Sequence, residues 1–298
     1  MQQTFGKLQR LTVEGFKSIR SMDRLDLTDI NIVVGQNGAG KSNFVSLFRF
    51  LAKIAREELQ DYIIQQGGLN KLLYFGPKIT NRLEIYFRAG DVEYEAVLKP
   101  TIDGELGFER EAFGYNQNDI FTFKPDQTES QLRRKSHGQH VLPYVIRAIE
   151  HWRVYHFHDT SKNAPLRNSA SLVEPERLAA DGGNLAAFLY FLQERHPDNL
   201  TTVLDTVRQI APFLGTLVLR PEALNPNLIR LRWRHVGREE LFDVSDLSDG
   251  TLRFIALTAV LLQPDPPSTI VLDEPELGLH PAAIAQLAAL IHQVAPQV

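Results

Sequence analysis

The sequence predicts an α/β protein, and three patterns along the chain support this fold class. An apolar run at residues 30–34 leads into a glycine-rich turn, which a helical pattern follows directly. Residues 82–113 alternate between apolar and polar side chains, as in an antiparallel β meander. A second apolar run, at residues 269–272, ends in Asp273 and Glu274. These patterns predict a mainly parallel core sheet that carries an antiparallel β lobe and a helical lobe.

The glycine-rich turn has the spacing G-x-x-x-x-G-K-S, which is typical of a phosphate-binding loop, or P-loop. Its glycines allow backbone conformations that are closed to residues with a Cβ atom, so that successive N–H groups point toward one anion. The N-terminus of the following helix adds a partial positive charge at the same place. We expect nucleotide phosphates to be bound by Gly35, Gln36, Asn37, Gly38, Ala39, Gly40, Lys41, Ser42 and Asn43.

Two side chains of the P-loop have specific roles in this interpretation. Lys41 would supply a positive charge to the β- and γ-phosphates, and Ser42 a hydroxyl ligand for Mg²⁺. The alternative is a chance glycine turn. The helix after the turn has an apolar face, which favours the P-loop and is formed by Phe44, Val45, Leu47, Phe48, Leu51, Ile54 and Ala55.

The acids at the end of the second apolar run predict the other half of a nucleotide site. Carboxylates at the tip of a buried strand are costly unless a cation lies beside them, and Mg²⁺ meets that need. Asp273 would hold the water shell of the metal, and Glu274 would accept a proton from the water that attacks the γ-phosphate. An exposed acidic turn is the alternative, but it does not explain the apolar run before it.

Composition limits the class of protein. The chain has 298 residues, a net charge of -4, 43% apolar residues and no cysteine. These values exclude a chain that is basic throughout, as well as disulfides and thiol catalysis within it, and they fit a cytoplasmic protein. The longest apolar runs, at residues 254–262 and 282–291, are shorter than the roughly 20 residues that a membrane span needs.

Two further clusters allow more than one interpretation. Arg230, Arg232 and Arg234 share one face of a predicted strand at residues 228–236, which suits a polyanion such as DNA. A solvated face that is paired with carboxylates is an equal alternative. His151, His156 and His158 lie close in sequence, but a polar loop at the end of the sheet is favoured over a metal site, because no fourth ligand has a familiar spacing. Residues 114–139 are polar and predict a surface excursion.

The segments GQNGAGKS, LSDGT and IVLDEPELGLHP, in this order, resemble the ABC-class ATPase heads of the SMC, RecF and OLD type. The segment LTVEGFKSI is similar to the opening strand of the compact OLD/RecF-like group. The resemblance implies a P-loop ABC-type head that binds ATP and Mg²⁺ and forms a homodimer around two nucleotides. Ser248 and Gly250 of one subunit would then contact the γ-phosphate at the P-loop of the other, although Ser248 is also placed to cap a helix.

The resemblance also implies a domain organisation. Residues 1–75 and 246–298 would form the P-loop core, residues 80–160 the antiparallel β lobe and its connection, and residues 165–245 a helical and β lobe. The family pattern continues with a further core strand and a histidine that senses the γ-phosphate, which are expected beyond Val298. His280 and His292 are not substitutes for that histidine.

The expected function is slow, Mg²⁺-dependent ATP hydrolysis by a head dimer that acts on DNA or a partner protein, as in DNA repair or phage defence. The alternative is an ATP-dependent dimerisation switch that regulates a partner such as a nuclease, with negligible catalysis. A transporter ATPase is less favoured, because Thr251 stands where transporter ATPases usually have Gln.

Overall fold

The computed structural model describes residues 6–115, 119–133, 141–159, 161 and 163–297. The chain separates into two compact units, residues 1–154 with 267–271, and residues 155–266 with 272–298. The α/β fold class is confirmed. The predicted partition into a P-loop core and two lobes stays a prediction.

The first unit is built on a six-stranded sheet with the order β2-β1-β3-β4-β5-β6. Its elements are β1 (Leu8–Phe16), β2 (Ile19–Asp26), α1 (Lys41–Ala55), α2 (Leu59–Gln65), α3 (Leu69–Leu72), β3 (Leu83–Ala89), β4 (Val92–Pro100), β5 (Leu106–Tyr115), β6 (Asp119–Thr122), α4 (Leu142–Glu150) and, at the boundary, β7 (Trp152–Tyr155). The predicted meander is confirmed as β3, β4 and β5, which pair antiparallel. The apolar face of α1 packs on this sheet, where Phe16 and Phe50 have ring centroids 5.3 Å apart.

The second unit combines four strands with four helices. Its elements are β8 (Ala170–Ser171), α5 (Leu185–Arg195), α6 (Pro197–Arg208), β9 (Leu214–Glu222), β10 (Asn225–His235), β11 (Leu241–Asp243), α7 (Asp249–Leu261) and α8 (Pro281–Val294), with β12 (Thr269–Leu272) at the boundary. Helix α7 packs against α6 and α8, and its residues from Thr251 to Leu261, most of which are apolar, are buried. In the part of the chain that the structure describes, no helix is both long and apolar enough to cross a bilayer.

One detail of the predicted core sheet is wrong. All strand pairs of the six-stranded and four-stranded sheets are antiparallel, while β12 pairs with β7 in a separate two-stranded sheet. The apolar run before the P-loop forms no strand, and Ile32, Val33 and Val34 are 81%, 52% and 84% exposed. A strand needs a hydrogen-bonded neighbour, and within the described residues none pairs with this run.

The surface excursion predicted at residues 114–139 is also wrong in part. Ser130, Gln131 and Leu132 are buried, because Glu111 lies beneath them. The Glu111 carboxylate accepts hydrogen bonds from Tyr94 Oη (2.9 Å), Ser130 Oγ (2.5 Å) and the Gln131 N–H (3.0 Å). The basic residues Arg134 and Lys135 of this stretch lie outside the described residues. The carboxylate therefore fastens this segment to β5.

Burial raises the pKa of Glu111, although the hydrogen bonds from Ser130, Gln131 and Tyr94 act in the opposite direction. Because its pKa is raised, the folded protein binds the Glu111 proton more tightly than the unfolded chain does. The resulting stabilisation is fully present at pH values below the unfolded pKa of about 4.3. That contribution is lost as the pH rises through the folded pKa. The loss is roughly 1.4 kcal/mol for each unit by which the pKa is raised.

We therefore predict that the wild type loses stability relative to the Glu111→Gln variant as the pH rises above about 4.3. Chemical denaturation of both proteins over a series of pH values measures this change. Glu14→Gln makes the same chemical change at an exposed position of β1 and is the matched control. A difference for Glu111→Gln that does not vary with pH would contradict the prediction.

Candidate functional site

The predicted phosphate-binding residues, 35–43, are consecutive and lie between β2 and the first turn of α1. Gly40 is the N-cap of α1 and has a φ of +97°, in the left-handed region that glycine adopts without strain. In the described chain no side chain caps this helix, and its first turn holds no acid. The first N–H groups of α1 are therefore free to bind an anion.

Lys41 lies against the backbone of the P-loop. Its Nζ donates hydrogen bonds to the carbonyl oxygens of Gly35 (2.6 Å) and Gln36 (3.1 Å). The Ala39 N–H donates to the same Gln36 oxygen at 3.1 Å and closes the turn. The ammonium group thus lies at the turn whose amides would bind phosphate.

A second turn, just after β1, supports the P-loop from the side. Asn43 Nδ2 donates to Ser18 Oγ at 2.8 Å, and a Cβ atom on Gly40 would lie 2.6 Å from that oxygen. Lys17, with a φ of +49°, anchors this turn by donating from Nζ to Gln66 Oε1 at 2.9 Å. The sequence places Lys17 and Ser18 just after a strand and favours a solvated turn there over a phosphate contact. The contact of Ser18 with the P-loop residue Asn43 is therefore a structural finding.

The acidic turn, Asp273 and Glu274, follows β12 directly. All four residues of β12 are half-buried rather than buried as predicted, since β7 is the neighbour found for this strand in the described chain. The Asp273 side chain is 17% exposed and that of Glu274 is 49% exposed. Glu274 has a φ of +47°, which is a strained conformation for a residue with a Cβ atom.

His158 contacts the acidic turn, a role that the sequence did not reveal. Its Nε2 atom is 3.0 Å from the Asp273 carbonyl oxygen and 3.9 Å from both Asp273 Oδ2 and Glu274 Oε2. The described residues contain no group of three or more His, Asp or Glu side chains that could hold a metal ion. His158 and Asp159 lie in a loop after β7.

The predicted N-cap at Ser248 is confirmed. Ser248 Oγ accepts a hydrogen bond from the Thr251 N–H at 3.2 Å and lies 2.8 Å from Thr251 Oγ1. We call residues 247–251 the signature segment. They begin α7 and face a cavity of about 390 Å³, which is lined by residues 248–251, 278–280, 282 and 283 and by Ile210.

Gly250 is required by close packing. A Cβ atom there would lie 2.7 Å from the carbonyl oxygen of Gly278, and one on Gly278 would lie 2.5 Å from Arg253 Nη1. Arg253 is itself 3% exposed, and burial lowers its pKa. Its guanidinium donates to the carbonyl oxygens of Phe157 (2.7 Å) and His158 (3.1 Å), which satisfies the buried charge in part.

Arg167 fixes the signature segment from the other side. Its guanidinium donates to the carbonyl oxygens of Val244 (2.8 Å) and Leu247 (3.2 Å) and to Asp249 Oδ1 (2.6 Å). The Arg167 side chain is only 8% exposed. Backbone carbonyls carry no sequence signal, so this role was not predictable.

The three arginines of β10 occupy its exposed face, while Leu231 and Trp233 are buried. Arg230 lies 3.7 Å from Asp243 Oδ2, and Arg232 donates to Glu222 Oε1 at 3.1 Å. These pairs agree with the alternative of a solvated face that is paired with carboxylates.

The predicted site residues are thus found in both compact units. The P-loop belongs to the first unit, whereas the signature segment, His158 and the acidic turn belong to the second. The roles assigned to these residues stay predictions.

The sequence is related to a known family and to longer curated proteins. Residues 30–298 match the family described as "AAA domain, putative AbiEii toxin, Type IV TA system". The chain is 26% identical over 222 residues to urease accessory protein 2 of Cryptococcus neoformans, covering 68% of this chain and 17% of that protein. It is 32% identical over 91 residues to structural maintenance of chromosomes protein 3 of Saccharomyces cerevisiae, covering 28% and 7%. The chain therefore spans a small part of these curated relatives.

A solved structure extends the comparison to the fold. The crystal structure of the SmcHead bound to the C-winged helix domain of ScpA matches with a TM-score of 0.54 and 13% identity, covering 97% of this chain and 86% of that chain. This match confirms the predicted likeness to SMC-type heads. The chain belongs to the AAA domain family named above, and it has the fold of an SMC head.

Proposed function

We propose that this domain binds ATP with Mg²⁺ at the P-loop and hydrolyses it slowly. The observation that carries the proposal is the start of α1, where uncapped N–H groups, a left-handed Gly40 and the ammonium of Lys41 meet in one turn. Membership of an ATPase family supports it.

The residues present fit Mg²⁺ by their chemistry. The hydroxyl of Ser42 and the carboxylate of Asp273 are oxygen donors, which Mg²⁺ prefers, and a carboxylate that is 17% exposed can reach a hydrated ion. Ser42 and Asp273 would hold the metal, in the second case through water. When bound, Mg²⁺ neutralises charge on the phosphate oxygens.

The chain's own residues would then act on the nucleotide as follows. The amides of the P-loop and Lys41 orient the phosphates and offset their charge. Glu274, at the end of the acidic turn, accepts a proton from the attacking water, and its half-exposed side chain lets water approach.

The proposed active form is a homodimer. Arg167 holds the signature segment through the Leu247 carbonyl oxygen and the Asp249 carboxylate, while Ser248 and Gly250 border an open cavity. Such a preorganised surface suits contact with the γ-phosphate at the P-loop of a second copy, because little ordering remains to be done on binding.

The proposed output is the movement of a partner, either DNA at the arginine face of β10 or another protein, within the cytoplasm. The SMC head in the matched structure is bound to a winged helix domain, which supports a protein partner here. The second candidate function is an ATP-dependent dimerisation switch that controls a partner such as a nuclease, with negligible catalysis. The Arg167 side chain, which is 8% exposed and holds the dimer-facing segment, favours this candidate.

Substitutions in the two halves of the proposed nucleotide site should have different effects. Lys41→Ala should weaken ATP binding roughly 10- to 100-fold, because a charged hydrogen bond to phosphate is removed. Glu274→Gln should retain binding but lower kcat roughly 100-fold or more, since its amide is not a base. Isothermal titration and a phosphate-release assay measure these effects.

Matched controls are Lys78→Ala and Glu276→Gln, both at exposed positions. Normal ATP binding by Lys41→Ala would refute the P-loop assignment. If the wild type binds ATP and dimerises but does not hydrolyse ATP, the dimerisation switch is supported and the hydrolytic function is rejected.

The dimer arrangement predicts complementation between two inactive variants. Lys41→Ala removes the ammonium group of the P-loop. Ser248→Arg places a large side chain on the signature segment. If the segment acts on the partner's nucleotide, half of the dimers in an equal mixture are mixed, and each keeps one intact site. ATPase activity should therefore recover to about a quarter of the wild-type value. Mixtures that stay inactive, although an affinity tag on one variant co-purifies the other and so shows mixed dimers, would exclude a contribution in trans.

The arginine face gives a prediction for DNA. With an ATP analogue bound, the salt dependence of DNA affinity should flatten when Arg230, Arg232 and Arg234 are changed to Gln. The slope of log K against log salt should fall by roughly 0.9 for each DNA phosphate that the variant no longer neutralises. Neutralising three exposed cations elsewhere, Arg56, Lys71 and Lys78, is the control. Equal slopes for the wild type, the arginine-face variant and the control variant would show that the arginine face does not bind DNA phosphates.

A further inference from the structure

We propose that His158 is a positioning residue, which holds the acidic turn in the conformation that directs the Glu274 carboxylate toward the attacking water. The proposal rests on the function proposed above, because it names a further residue of the same site. His158 lies more than a hundred positions before the turn that it contacts, and no motif marks it.

The contact falls on the peptide bond that joins the two acids. His158 Nε2 donates to the Asp273 carbonyl oxygen at 3.0 Å, and that carbonyl belongs to the bond between Asp273 and Glu274. Glu274 directly after it has a φ of +47°. A residue with a Cβ atom stays in this conformation only when its surroundings fix it, so the hydrogen bond opposes rotation of the strained peptide.

Residues 155–158 bind both backbone groups of Asp273. The Asp273 N–H donates to the Tyr155 carbonyl oxygen at 3.1 Å, while its carbonyl accepts from His158. Both backbone groups of Asp273 are therefore bound by residues 155–158. The peptide plane is set at two points rather than one.

Arg253 in turn fixes the segment that carries His158. It donates to the carbonyl oxygens of Phe157 at 2.7 Å and His158 at 3.1 Å. Arg253 lies on α7 and is 3% exposed, so this support belongs to the core of the second unit. The imidazole is thus placed by backbone contacts on both sides of its Cα atom.

The geometry favours positioning over direct chemistry. Nε2 is 3.9 Å from both Asp273 Oδ2 and Glu274 Oε2, beyond hydrogen-bond distance. The ring nitrogen that donates to the carbonyl carries a proton and is not a base. His158 therefore acts through the backbone of the acids.

The test compares His158→Ala with His158→Gln, whose side-chain amide can donate to the same carbonyl. His158→Ala should lower kcat roughly 10- to 100-fold, with KM for ATP changing less than about threefold. His158→Gln should restore most of the activity. His292→Ala removes an exposed imidazole from α8 and is the matched control.

A second readout needs no nucleotide. In the free protein, hydrogen exchange of residues 273–279 should be faster in His158→Ala than in the wild type, and normal in His158→Gln. Those residues include the Leu277 N–H, which donates to the Glu274 carbonyl oxygen at 3.1 Å. Unfolding temperatures identify any variant that fails to fold.

Unchanged exchange in a folded His158→Ala protein would overturn the proposal. So would a His158→Gln protein as inactive as His158→Ala, because the imidazole would then act directly. If the wild type itself does not hydrolyse ATP, the proposed function fails, and the exchange comparison alone decides the role of His158.

Discussion

The second unit depends on one buried charge, the guanidinium of Arg253. A buried cation is costly unless carbonyl oxygens surround it, and here they come from Phe157 and His158. Because Arg253 lies one turn into α7, the same side chain joins the signature segment to the loop that contacts the acidic turn. The two motifs for which we propose nucleotide chemistry in this unit therefore share one anchor.

The parts of the site that the sequence predicted are those that local spacing encodes. A P-loop is a run of glycines with fixed intervals, an N-cap is a serine at the start of an apolar helix, and an acidic strand end follows an apolar run. The alternation of the β3–β5 meander is equally local, because each side chain faces the core or solvent according to its position. Each of these predictions rests on residues that are neighbours in the sequence.

The parts that the sequence did not predict depend on distant contacts. His158, Arg167 and Arg253 bind backbone carbonyls that lie about 80 to 115 positions away, and a carbonyl looks the same in every residue. The burial of Ser130 depends on Glu111 in a neighbouring strand rather than on its own polar surroundings. Residues 30–34 have the composition of a strand. A strand also needs a second segment to pair with, and the composition of one segment does not show whether that partner exists.

The contact between Gly250 and Gly278 restricts how this protein can vary. The smallest side chain at either position would collide, at Gly250 with a backbone oxygen and at Gly278 with the Arg253 guanidinium. A backbone oxygen cannot retreat without moving the whole segment, so no single neighbouring replacement offers relief. Substitution of Gly250 is therefore closed to ordinary stepwise change. At Gly278 the guanidinium can move aside, and the φ of +71° is what disfavours a side chain.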